Sequence, residues 1–115
     1  MGYSSFEKLE VWKRACRLAV KMYDALRDCR DYGLKDQMTR AAVSIASNIA
    51  EGAERDSRKE FVHFLHIAKG SAAELRTQSY IAHCIGIIDK NLEQELVEEL
   101  KVISKQLHCL IKSMQ

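Results

Sequence analysis

The sequence predicts an all-α protein, an up-down-up-down antiparallel four-helix bundle. Three observations carry this expectation. The 115 residues contain no proline, so the commonest helix breaker is absent. Apolar residues recur at three- and four-residue steps in four long stretches. The turn clusters that a sandwich or barrel needs every ~8–12 residues do not occur. The expected helices cover about 6–29, 34–54, 58–85 and 90–113, in one domain over residues 1–115. Hydrophobic residues make up 47% and charged residues 30%, which excludes intrinsic disorder.

Helix 1 rests on Val11, Ala15, Leu18, Ala19, Met22 and Leu26, which form one apolar stripe. Lys13, Arg14, Arg17 and Lys21 lie on the opposite side, diluted by Glu10 and Asp24. In helix 2 the buried face is Leu34, Met38, Ala41, Ala42, Ile45 and Ile49, and small residues there favour close helix approach. Gln37, Ser44 and Asn48 fall along the edge of that face and are expected to bond across a helix–helix seam.

Ser57-Arg58-Lys59-Glu60 reads as a capping box that starts helix 3. Phe61, Phe64, Leu65, Ala68, Ala72 and Leu75 form its buried face, and Gly86 stops it. Gly70 inside it costs about 1 kcal/mol relative to alanine. Asp89 caps helix 4, whose Leu92, Leu96, Leu100, Ile103, Leu107, Leu110 and Met114 follow a near-heptad spacing. Ile67, Ile81, Ile85, Trp12, Tyr23, Val102 and Cys109 fall off these stripes. An apolar arc wider than one bundle needs points to self-association.

No apolar run approaches the ~18 residues of a membrane span. Met1 to Leu9 lacks an apolar signal core and carries Glu7, so a cytoplasmic location is expected, with no membrane partner. Reduced thiols are therefore expected at Cys16, Cys29, Cys84 and Cys109. The adjacent pairs His83-Cys84 and His108-Cys109 have poor metal-ligand spacing, because helix neighbours point about 100° apart. Glu60-Phe61-Val62-His63 has the Glu-x-x-His form of di-iron bundles, but no second copy exists. A metal-dependent enzyme using Glu60, His63 and His66 is the weakest reading. Nucleophile-elbow, phosphate-loop and dinucleotide motifs are absent, so neither an enzyme nor a cofactor is expected.

The leading electrostatic feature is the row Lys13, Arg17, Lys21, with Arg14 beside it. Such a row can follow a phosphate backbone, and its bland counterpart is a solvated helix face. Residues 1–40 hold nine Lys/Arg against six Asp/Glu, whereas residues 81–115 hold four against five. A ring of subunits with the first helices on one side would sum the basic field.

Residues 32–52, YGLKDQMTRAAVSIASNIAEG, resemble the signature of a bacterial four-helix-bundle family. Its members include proteins encoded in intervening sequences of 23S ribosomal RNA genes. Phe6, Leu9, Val11-Trp12 and Ala15 match its opening. Arg55, Glu60-Phe61, Phe64-Leu65, Ala68, Gly70-Ser71 and Glu74-Leu75 match its third helix. The chain departs from the pattern at Cys29-Arg30-Asp31, where the family commonly has Phe-Pro, and at Thr39, where it commonly has a second Arg.

The resemblance implies a ring-like homo-oligomer, a pentamer. It also implies a distant relationship to the accessory protein of diversity-generating retroelements, which works with nucleic acid. On these grounds Lys13, Arg14, Arg17, Lys21 and Arg40 are the candidate contacts for RNA or DNA. Gln37, Ser44, Asn48, Glu51 and Gly52 are the structural or interface candidates. The leading functional expectation is a non-enzymatic oligomer that binds nucleic acid through a basic surface. The alternative is a protein-interaction scaffold without that role.

Overall fold

A computed structural model describes residues 5–115, so Gly2 and the first part of the Met1–Leu9 segment lie outside the described residues. The chain opens on a 3-10 turn at Phe6–Lys8, capped by Ser5, whose Oγ accepts from the Glu7 amide at 3.1 Å. Helix α1 then spans Glu10–Ala25, α2 Tyr32–Ala53, α3 Arg58–Cys84 and α4 Lys90–Ser113. Each helix packs on its sequence neighbours, and α1 closes the bundle against α4. No strand occurs among the described residues.

The first helix is shorter than its periodicity implies, by four residues at each end. Leu9 is extended, with φ −72° and ψ 124°, and separates the Phe6 turn from α1. This break lets Phe6 meet Trp12 edge-to-face, with ring centroids 5.3 Å apart. At the other end Leu26 is the last buried stripe residue. Arg27, Asp28 and Arg30 beyond it are exposed, so further helix would bury little. Asp31 instead accepts from the Leu34 amide at 3.1 Å and starts α2 two residues earlier than expected.

The other boundaries follow local chemistry. Ser57 accepts from the Glu60 amide at 3.2 Å and starts α3. The reciprocal half of the capping box is not formed by Glu60, whose carboxylate accepts from Arg55 at 3.2 Å. Gly86, at φ 83°, ends α3 in a Schellman motif. There the Ile87 amide donates to Ala82 at 2.8 Å and the Gly86 amide to His83 at 3.1 Å. Asp89 accepts from Leu92 at 2.8 Å to begin α4.

The core runs the length of the bundle. Met22, Met38, Ile45, Ile49, Phe61, Leu65, Leu75, Leu100 and Leu107 are fully buried in it. Phe64, Leu34, Ala19, Leu92, Leu110 and Met114, expected on the buried faces, are only half-buried at the seams. Ile67, Ile81, Ile85, Tyr23 and Val102 are exposed, as their off-stripe phase implied, and Trp12 is half-buried.

Candidate functional site

The basic row of helix 1 does not face free solvent along its length. Arg14 donates from Nη1 to both carboxylate oxygens of Glu99, at 2.8 and 3.0 Å. Lys21 pairs with Glu95. Arg17 pairs with Glu10 at 3.3 Å, an exposed contact on its own helix. Lys13 is exposed and takes no ion pair among the described residues. The phase of α1 explains this. Val11, Leu18 and Met22 define the inward direction, and Arg14 and Lys21 stand about 60–80° from it on the α4 side. Glu95 and Glu99 present a matching i, i+4 pair on α4. The clue was in the sequence, but it needed the antiparallel α1–α4 contact to be read.

These side chains line an open groove of about 550 Å³ between α1 and α4, together with Glu98, Leu18, Leu96 and Val102. Positive and negative groups alternate in it, so it offers no concentrated charge of one sign. Arg40 stands elsewhere, on α2, and pairs with Asp36 at 3.2 Å. The five candidate contacts are therefore not gathered on one surface. Thr39, at the position where a second Arg is common, is buried and donates to the Lys35 carbonyl at 2.9 Å.

The second set of candidates lies along the α2–α3 seam. Ser44 and Ser71 share a hydroxyl–hydroxyl bond of 3.0 Å across it. Asn48 donates to the Ser44 carbonyl at 2.8 Å and to its hydroxyl at 2.9 Å. Gln78, only 6% exposed, reaches Gln37 at 3.5 Å. Gly52 is required by close approach. A Cβ there would stand 2.6 Å from Phe64 Cβ and 3.1 Å from Phe61 Cδ1. Glu51 holds Arg55 at 3.2 Å, and Arg55 sits 4.9 Å over the Phe64 ring while also pairing with Glu60. This polar and small-residue strip joins two helices by hydrogen bonds, with Gln78 Oε1 left buried and without a partner.

The residues weighed for metal chemistry are dispersed. Glu60 is engaged by Arg55, and His63 lies edge-to-face against Phe64 at 5.7 Å. Among the described residues no group of three or more His, Cys, Asp or Glu could hold a metal ion. No helix there is long and apolar enough to cross a membrane. All four cysteines are free thiols, Cys84 and Cys109 exposed and Cys16 and Cys29 partly buried. Burial pushes the Cys16 thiol up from its ordinary value, opposed by the Arg17 charge beside it.

Four long antiparallel helices, a seam of small and polar residues and a scattered set of paired cations define a helical-bundle protein. More particularly, the chain belongs to the 23S rRNA-intervening sequence protein family, whose model matches residues 7–109. A similar solved structure comes from Bacteroides thetaiotaomicron, a protein of unknown function from the S23 ribosomal protein family. It is 24% identical, superposes with a TM-score of 0.83, and the match covers 89% of this chain and 98% of that one. This likeness shows the fold. No match is found among curated proteins.

Proposed function

We propose that this protein works by binding rather than catalysis, as a homo-oligomeric helical scaffold. The observation that carries the reading is the apolar outer face of α1 and α2. Trp12, Cys16 and Ala19 face Val43, Ala46 and Ala50 across a shallow groove of about 420 Å³, which Phe6 and the hydroxyl-bearing Ser47 also line. Val43 is 41% exposed, and Tyr23 and Val20 on α1 are 52% and 63% exposed. Small residues along such a groove leave room for a helix of a second copy, and contiguous exposed apolar surface is costly in a monomer. Five copies is the ring size that the family resemblance implies.

Light scattering on an eluting size-exclusion peak tests this. The expected result is one discrete multimer. Val20→Glu with Val43→Glu is expected to lower its mass while helicity is kept. A wild-type monomer at tens of micromolar would overturn the reading.

Nucleic-acid binding along helix 1 is the second reading. It is favoured by free Lys13 and by the exposure of the Arg17–Glu10 pair, 64% and 61%, which makes that pair easy to displace. On this second reading alone Lys13→Glu with Arg17→Glu would abolish binding, and unchanged affinity removes it.

A further inference from the structure

The charge on α4 is divided along its length. Glu93, Glu95, Glu98 and Glu99 all lie in its first half, and residues 101–115 contain no carboxylate side chain. Three of these four glutamates are occupied. Glu95 and Glu99 serve α1, and Glu93 is buried and holds Lys90 at 2.9 Å. Glu98 lines the α1 groove, exposed and in no ion pair among the described residues. On α3, Glu60 is held by Arg55, and Glu74 accepts from Gln78 at 3.5 Å on the α2 side.

What remains on the outer α3–α4 face is positive. Arg58, Lys59, Lys69 and Arg76 of α3 and Lys101 and Lys112 of α4 form no ion pair among the described residues. The two helices run antiparallel, with Arg58, Lys59 and Val62 beside Met114 and Gln115 in one groove. From that register Lys112 falls near Arg58 and Lys59, while Lys101 falls between Lys69 and Arg76. Lys69 and Arg76 are half-buried at the seam, and the other four are exposed. His66 and His108 are exposed on the same face.

We propose that this face binds the phosphodiester backbone of a nucleic-acid strand. Arg58 to Arg76 spans about 27 Å of helix, the length of roughly eight nucleotides at ~3.4 Å each. Six cations over that length outnumber the unpaired carboxylates beside them, exposed Glu98 and Asp56, and match a chain of regularly spaced phosphates. A lipid surface fits less well. Interfacial binding needs exposed apolar side chains among the cations, and Val62 there is half-buried. The exposed Ile67 and Ile81 stand on the other flank of α3. The proposal goes beyond self-association and holds for a monomer or a ring.

The test is fluorescence anisotropy with labelled 20-nucleotide oligouridylate and oligothymidylate, at 50 to 200 mM salt, on the full chain. Binding is expected to weaken with salt, with a log–log slope of about −4 if six phosphates are engaged. Lys101→Glu with Lys112→Glu is expected to weaken binding at least ~10-fold and to reduce the slope by about 1.4, two contacts' worth. The neutral pair Lys101→Gln with Lys112→Gln is expected to give a smaller loss in the same direction, and guards against a folding defect in the first. Lys13→Glu with Arg17→Glu is expected to leave the affinity within about 2-fold. Similar binding of both oligomers fits the proposal, and tighter oligouridylate binding fits it with added 2′-hydroxyl contacts. Three results would overturn it: no binding at 50 mM salt, loss only in the helix 1 variant, or capture of phosphatidylserine vesicles without either oligonucleotide. Oligomeric mass is read on the same samples, so failure here is separable from failure of self-association.

Discussion

The α2–α3 and α1–α4 seams hold the same bundle together by opposite means. At α2–α3 the side chains are small. Ala41, Ser44, Gly52 and Ser71 let the helices approach until Gly52 has no room for a methyl group. At α1–α4 the side chains are long and charged. Arg14, Lys21, Glu95 and Glu99 bridge a gap that stays open as a groove of about 550 Å³. Close packing removes alternatives, because a fraction of an ångström changes the energy steeply. Exposed charge pairs tolerate rearrangement, since water substitutes for each partner. The signature resemblance is concentrated on the first seam, where residue size is dictated by geometry.

Substitutions at each seam sharpen this difference. Gly52→Ala is expected to have the largest effect. The new methyl would meet Phe64 Cβ, an atom fixed directly to the backbone and unable to retreat by rotation, and overpacking of this kind costs about 1–3 kcal/mol. Urea unfolding measures it, and an unchanged midpoint would show that the seam can open.

The Arg14–Glu99 pair should matter less. Its side chains are 30% and 34% exposed, so solvent screens them. A double-mutant cycle with Arg14→Ala and Glu99→Ala is expected to give a coupling of about 0.5–1 kcal/mol that shrinks in 1 M salt. A coupling as large as the Gly52 effect would erase the contrast between the seams.

The smallest effect concerns Cys16, on α1 where it meets α2. Burial favours the neutral thiol in the folded state, so the stability it contributes is intact below the ordinary value of 9.0. That contribution is lost as pH rises through the raised folded value. Iodoacetamide at pH 8 is therefore expected to label exposed Cys84 and Cys109 before Cys16, and mass spectrometry of the partly labelled protein reads the order. Labelling of Cys16 first would show that the α1–α2 groove opens readily.

Much of the fold was legible because helices are governed by short-range rules. Apolar spacing placed four helices, and Ser57, Gly86 and Asp89 marked their ends with side-chain or backbone chemistry of their own. The errors fell where local signals compete. Leu9 has apolar spacing yet is extended, since the Phe6–Trp12 contact requires a break. Arg27 to Cys29 continues a helical pattern, yet nothing there repays burial, and Asp31 caps the next helix.

The candidate site was less legible. A basic row on one helix carries no information about which carboxylates the neighbouring helix will present. Counting residues 81–115 as one window also averaged away the division of α4 into an acidic half and a basic half. Sequence by itself determined helix number, caps, the apolar faces and the family signature, because these depend on residues a few positions apart. Only tertiary structure decided which charges are spent within the bundle and which remain, because an ion pair between α1 and α4 joins residues 85 positions apart in the chain. Their meeting is set by the packing of all four helices.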